Sequence, residues 1–202
     1  MKNEPTYPTI ISYFTKDWKY EMYSKQMIQS CKQLNLDYHI VHRKSQNGYL
    51  KNCRMKPYFI LESLKELKRP VLWIDVDGDI LKPPEFFKGL DVDFAAKKMR
   101  EGRKRTWHVG TMWFNYNEKV LEFIDKWIYY TENSCSDEEG LDRFWNVHSE
   151  SIKTVDIPPE YFFIKRREHK PIPKNTVIFH RISNGEDKRR TKKNRPDIFK
   201  RR

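Results

Sequence analysis

Residues 71–81 read VLWIDVDGDIL. Four consecutive apolar residues, Val71 to Ile74, predict a strand covered on both faces, as in a parallel sheet flanked by helices. The abrupt change to Asp75, Val76, Asp77, Gly78 and Asp79 ends that strand. In open α/β sheets ligands bind beyond the carboxyl ends of strands, so these polar residues stand where chemistry is done. Two carboxylates two positions apart can share a hard divalent cation that keeps coordination positions for phosphate oxygens. The same letters also read as a turn, because Asp-Gly is a common turn dipeptide.

Outward from this stretch, strands and helices alternate. Thr9 to Thr15 (TIISYFT) is β-branched and aromatic and predicts the first strand, Tyr20 to Leu34 a helix, and Tyr38 to His42 (YHIVH) a second strand. A loop at Gln46, Asn47 and Gly48 precedes a helix with Pro57 in its first turn, running to Leu67 and stopped by Arg69 and Pro70. Beyond the central strand, Asp91–Ala96 and Thr111–Phe114 predict strands, and Asn117–Tyr130 and Asp137–Asn146 helices, the second capped by Ser134 or Ser136. Ile152–Ile157 and Thr176–His180 read as late strands. This order predicts an α/β fold, one Rossmann-like domain with a mostly parallel central sheet flanked by helices.

A chain of 202 residues suits one domain, read as 1–182, with 183–202 a basic tail nearly devoid of apolar residues. The 12 Phe, 11 Tyr and 6 Trp supply core material, so a mean hydropathy of −0.90 does not imply disorder. No apolar run is long enough to span a bilayer, and MKNEPTYPTI lacks the apolar stretch of a signal peptide, so a soluble, cytoplasmic protein is expected. Cys31, Cys53 and Cys135 are too few and too far apart for a disulfide framework or a zinc knuckle.

From Thr9 to about Lys188, the segments resemble in pattern and order a small GT-A glycosyltransferase, the nucleotide-diphospho-sugar transferase fold with a D-x-D metal site. Four places carry the resemblance: TIISYFT, where that fold holds the nucleotide; KNCRMKPYFIL (Lys51–Leu61), a basic residue plus a Lys-Pro helix start; VLWIDVDGDIL itself; and TVIFHRISNGEDK (Thr176–Lys188). The resemblance implies that Asp77 binds the metal, Mn²⁺ or Mg²⁺, directly, that Asp75 binds ribose or metal, and that His180 is a further ligand. Read from the residues alone, a histidine ending an apolar strand is either a ligand or a hydrogen-bonded structural group. Donor-binding roles are implied for Tyr13, Thr15, Arg54, Lys56, Asp75 and Lys188, with Arg54 or Lys56 clamping phosphate. Trp107 to Asn115 resembles the acceptor-side strand, with His108, Gly110 and Thr111 lining the site and the glycine permitting close approach. Asp137 and Glu138 resemble the acidic helix start facing the donor sugar and are the catalytic candidates. They depart from the Asp-Gln pattern of retaining members, so either stereochemistry is allowed.

The donor implied is a UDP-sugar, with hexosyl transfer expected. The acceptor is read from charge. The net charge is +12, but residues 42–56 carry +5, 97–105 +5, 165–174 +4 and 181–202 +7, so the remaining chain is mildly acidic. Concentrated basic segments suit a polyanion, and hydroxymethylated pyrimidine in DNA is the leading acceptor, by analogy with viral enzymes that decorate such bases. A viral source is expected on the same analogy. Trp107 beside Arg105, and Phe163 beside Lys165, are candidates to stack on an extruded base. The alternatives are a glycan or lipid-linked acceptor, and a non-catalytic nucleic-acid-binding module.

Overall fold

The structure is a computed structural model and describes residues 6–17, 19–99, 106–165 and 171–181. Its elements are β1 (Thr9–Phe14), α1 (Tyr20–Gln33), β2 (Tyr38–His42), α2 (Tyr49–Cys53), α3 (Lys56–Leu67), β3 (Val71–Ile74), β4 (Gly78–Ile80), β5 (Phe94–Lys98), β6 (Trp107–Phe114), α4 (Glu118–Glu132), α5 (Asp137–His148), β7 (Thr154–Asp156), β8 (Phe163–Lys165) and β9 (Ile178–Arg181). The central sheet has the order β2-β1-β3-β6-β5-β7. It is mixed and mostly parallel: β1 runs parallel to β2 and β3, and β5 to β7, while β6 is antiparallel to both its neighbours.

All four residues of β3 are buried. Val71 and Trp73 join the core under α3, α4 and α5, whereas Leu72 and Ile74 join the opposite one, with Met27 and Cys31 of α1. Burial on both faces is what a continuous apolar run requires of its surroundings. Helix starts follow local chemistry. Asn117 accepts the Val120 N–H at the head of α4, and Ser136 accepts the Glu139 N–H at the head of α5, whose first turn is acidic.

Four features differ from expectation. β6 begins at Trp107 rather than Thr111, because its first half pairs with Lys97 and Lys98 beyond a register shift in β5. β5 itself begins at Phe94, since Asp93 turns its carboxylate to the Lys153 N–H and the Asn117 amide. α2 adds a short helix between the loop at Gln46–Gly48 and α3, where the sequence predicts none, because five residues are too few to display a helical period. β4 and β8 are three-residue strands that exist only because β9 lies between them, making a small second sheet of order β4-β9-β8. The tail 183–202, its boundary and Lys188 lie outside the described residues. Among the described residues no helix is long and apolar enough to cross a membrane.

Candidate active site

Strand β3 delivers Asp75 to the carboxyl edge of the central sheet, where its N–H donates to the Gly110 carbonyl of neighbouring β6 (2.8 Å). The chain then turns tightly, the Gly78 N–H donating to the Asp75 carbonyl (2.7 Å), and returns as β4. β9 pairs with β4 so that His180 stands opposite Gly78. The turn and the second sheet thus bring Asp77 and His180 together, with His180 Nδ1 3.8 Å from Asp77 Oδ1. His180 Nε2 lies 2.8 Å from Thr111 Oγ1. With its proton on Nε2 the ring donates to Thr111, and with the proton on Nδ1 it accepts from the Thr111 hydroxyl and turns an N–H toward Asp77. Burial raises the Asp77 carboxyl above its ordinary value, against the opposing pull of His180.

A second cluster is built on Lys56, the first residue of α3. Its side chain is 5% exposed, and Nζ lies 2.9 Å from Asp75 Oδ1, 2.8 Å from Asp137 Oδ2 and 3.1 Å from the Val109 carbonyl. The Trp73 indole donates to Asp75 Oδ1 (3.0 Å), and its ring lies beneath the ammonium. Asp137 is the first residue of α5, its carbonyl anchored by the Trp127 indole (2.9 Å). Burial alone would discharge Lys56, but the Asp137 and Asp75 carboxylates outweigh it and hold the ammonium above its ordinary value. Burial also raises the Asp137 carboxyl, with Lys56 opposing.

No protein-family model matches the sequence, and no curated protein matches it. Solved structures do match. A glycosyltransferase involved in the glycosylation of the major capsid of PBCV-1 superposes with a TM-score of 0.69 over 91% of this chain and 97% of that one, at 13% identity. The fold is a glycosyltransferase fold. GlyE of Streptococcus pneumoniae TIGR4 superposes with a TM-score of 0.62 at 16% identity, and its apo form with 0.61 at 15%. Those matches cover 88% and 89% of this chain, which spans about 55% of GlyE.

On this glycosyltransferase fold, Lys56, Asp75 and Asp137 form one cluster, and Asp77, His180 and Thr111 another. Tyr13 is buried against Phe59 and Trp73, and its hydroxyl donates to the Asn52 carbonyl (2.6 Å). Thr15 is buried just past β1. Arg54 donates to the Glu132 carbonyl at the end of α4 (2.8 Å), and Lys56 is enclosed by carboxylates, so both implied phosphate clamps already have partners. Glu138, next to Asp137, is half-buried.

Gly110 meets the protein's own rings. A Cβ there would lie 3.1 Å from Phe162 Cε2, 3.3 Å from His180 Cε1 and 3.4 Å from His108 Nδ1. The glycine therefore makes room for Phe162, which packs on both His108 and His180. Trp107 is a correction: it is 4% exposed, wedged against Phe94 and Trp145, and has no face left for an extruded base.

Sequence reasoning passed over Phe162, whose ring meets His108 and His180 only through the pairing of β8 with β9 and the approach of β6.

The donor set is compatible with a divalent cation of limited kind. Among the described residues no group of three or more His, Cys, Asp or Glu side chains converges closely enough to hold a metal. Asp75 Oδ1 is engaged by Lys56 and Trp73. Asp77 and His180 face each other at a separation too long for a hydrogen bond, a two-ligand arrangement. That suits a hard cation that takes its remaining ligands from phosphate and water, and not a structural ion held by the protein alone.

Proposed function

We propose that the protein transfers a sugar from a nucleoside-diphosphate sugar, a UDP-sugar, to an acceptor hydroxyl, with Mn²⁺ or Mg²⁺ accompanying the diphosphate. One observation carries the reading: Asp75, Asp77 and Asp137 gather at the carboxyl end of β3 on a glycosyltransferase fold, with Lys56 as the buried cation between two of them. Such an excess of negative charge repels a bare diphosphate and favours one that arrives with a cation. Asp77 and His180 are the residues that would hold it. When bound, it neutralises charge on the departing nucleotide diphosphate.

The chain's own residues do the rest. Lys56 bridges the Asp75 and Asp137 carboxylates, so two acids from different elements stand side by side without mutual repulsion. Asp137, buried and ion-paired, suits electrostatic stabilisation of positive charge developing at the sugar. Glu138, one residue further along α5, is the candidate to take the acceptor proton.

For the acceptor, a hydroxyl on a glycan or glycoprotein is favoured over hydroxymethylated pyrimidine in DNA. Of the cations in 42–56, Arg43 pairs with Glu62, Arg54 donates to a helix end and Lys56 is buried. In the next window Lys97 is paired with Asp156 (2.6 Å). Less of the local basic excess is therefore left for DNA phosphates. The similarity to a capsid glycosyltransferase supports the same choice.

The test is incubation with a panel of sugar nucleotides, Mn²⁺, and either oligosaccharide or hydroxymethylated DNA, reading products by mass. Sugar transfer to oligosaccharide is expected, and Asp77→Asn should remove most of it. Full turnover in excess chelator would overturn the metal requirement. Absence of both transfer and sugar-nucleotide hydrolysis would overturn glycosyl transfer and favour the binding-module alternative.

A further inference from the structure

We infer that β2 joins two copies of this chain, its free edge pairing antiparallel with β2 of the second copy about a twofold axis at Ile40. β2 ends the central sheet, and among the described residues its only strand partner is β1. The Asp37 carbonyl accepts the Ile10 N–H (2.8 Å), and the Arg43 N–H donates to the Phe14 carbonyl (2.8 Å). The odd-numbered residues of this strand therefore turn their backbone groups to β1. By alternation Tyr38, Ile40 and His42 turn theirs to the open edge. Sheet edges are ordinarily blunted by shortness, lysine, proline or a bulge. The opposite edge strand, β7, has three residues and carries Asp156. β2 has five, YHIVH, with no formal charge, no proline and an unbroken register against β1.

The charges stand just outside this run, Asp37 before it and Arg43 after it. The twofold register centred on Ile40 is the one that pairs all of Tyr38 to His42. It sets Tyr38 against His42 and Ile40 against Ile40, each pair exchanging both of its N–H···O bonds. It also sets Asp37 of each copy directly opposite Arg43 of the other, on the face where Arg43 lies over the Phe59 ring of α3. Opposite charges in that position favour pairing, and like charges oppose it. The Asp37 side chain is 71% exposed and that of Arg43 40%, so each can take a second partner beside Arg69 and Glu62 of its own chain. Such an isologous contact closes as a dimer. Because the second copy runs in reverse, the two candidate sites open at opposite ends of one continuous sheet, and neither covers the other.

The experiment is sedimentation velocity on the full chain over a wide range of protein concentration, with amide exchange followed residue by residue. A dimer is expected, and a monomer at every concentration would overturn the inference. Asp37→Arg and Arg43→Asp each place like charges opposite one another and should weaken dimerisation about tenfold or more. An equal mixture of the two variants should recover it, since the two altered chains then meet with opposite charges at both ends. Both changes are at exposed ion pairs, so the urea midpoint should barely move. Dimerisation at parental strength in either variant alone, or no recovery in the mixture of folded variants, would place the contact elsewhere and overturn the inference. Exchange at the Tyr38, Ile40 and His42 amides should slow as the dimer forms. Equally fast exchange in monomer and dimer would overturn the pairing, as would slow exchange already present in a monomer.

Discussion

Lys56 shows how much one position carries. A buried ammonium between two carboxylates gains little net stability over an apolar cluster of the same shape, but breaking such an arrangement is costly, because a charge is left buried without a partner. Lys56→Met strands Asp137, whose side chain is 4% exposed. We expect a loss of about 3–5 kcal/mol in urea unfolding. Adding Asp137→Leu to Lys56→Met should restore much of the stability without restoring activity. A loss below about 1 kcal/mol in the single variant would mean that solvent reaches the pair and that Lys56 does not organise the site.

At the scale of elements, two contacts are decisive, and the first fixes where Asp137 stands. α5 approaches α4 so closely that a Cβ at Gly140 would lie 2.3 Å from Thr131 Oγ1 and 2.7 Å from Thr131 Cα. Gly140→Ala, a favourable change in an isolated helix, is expected here to cost about 1–3 kcal/mol and to lower the melting temperature by several degrees. Because Asp137 lies one turn earlier, activity should fall further than stability does. Thr131→Ala should not rescue it, since the backbone of residue 131 is also in the way. A melting temperature at or above that of the parent would refute the close packing.

The second contact is Asp93, ahead of β5. Burial pushes its carboxyl upward, but the Lys153 N–H (2.9 Å), the Asn117 amide (3.1 Å) and the Lys119 ammonium (3.3 Å) outweigh it and leave the pKa below its ordinary value. The lowered value belongs to the folded state, so the stabilisation is fully present above the unfolded carboxyl pKa of about 3.9 and is lost as pH falls through the folded one. Asp93→Asn should therefore destabilise at neutral pH and flatten the acid limb of melting temperature against pH. An acid limb identical to the parent's would remove Asp93 from that role.

For the molecule as a whole, the decisive quantity is how much positive charge remains available to an acceptor. Each phosphate neutralised contributes about 0.9 to the salt slope, so five or so DNA contacts would weaken binding several hundred-fold between about 50 and 200 mM salt. A neutral glycan acceptor should show less than about a twofold change over the same range. Measuring acceptor KM against salt separates the two. A steep slope that shrinks on removal of residues 189–202 would reinstate DNA as the acceptor.

The α/β layering, β1 to β3 and the long helices were legible because they rest on local chemistry. Apolar period, Asn117 and Ser136 as helix caps, and an unbroken VLWI run each act within a few residues. The sequence also named Lys56, Asp75, Asp77, Asp137 and His180 as candidates, since charged residues at element ends are visible without coordinates. Which of them would meet was decided by the tertiary structure. Lys56 and Asp137 are far apart in sequence, and their pairing depends on the start of α3 and the start of α5 arriving at the same edge of the sheet. The same holds for β4 and β8, which are too short to signal themselves and form only against β9. Hydrophobic patterning acts along the chain, whereas ion pairing, enclosure and the pKa shifts they cause act through space between elements that the fold alone brings together.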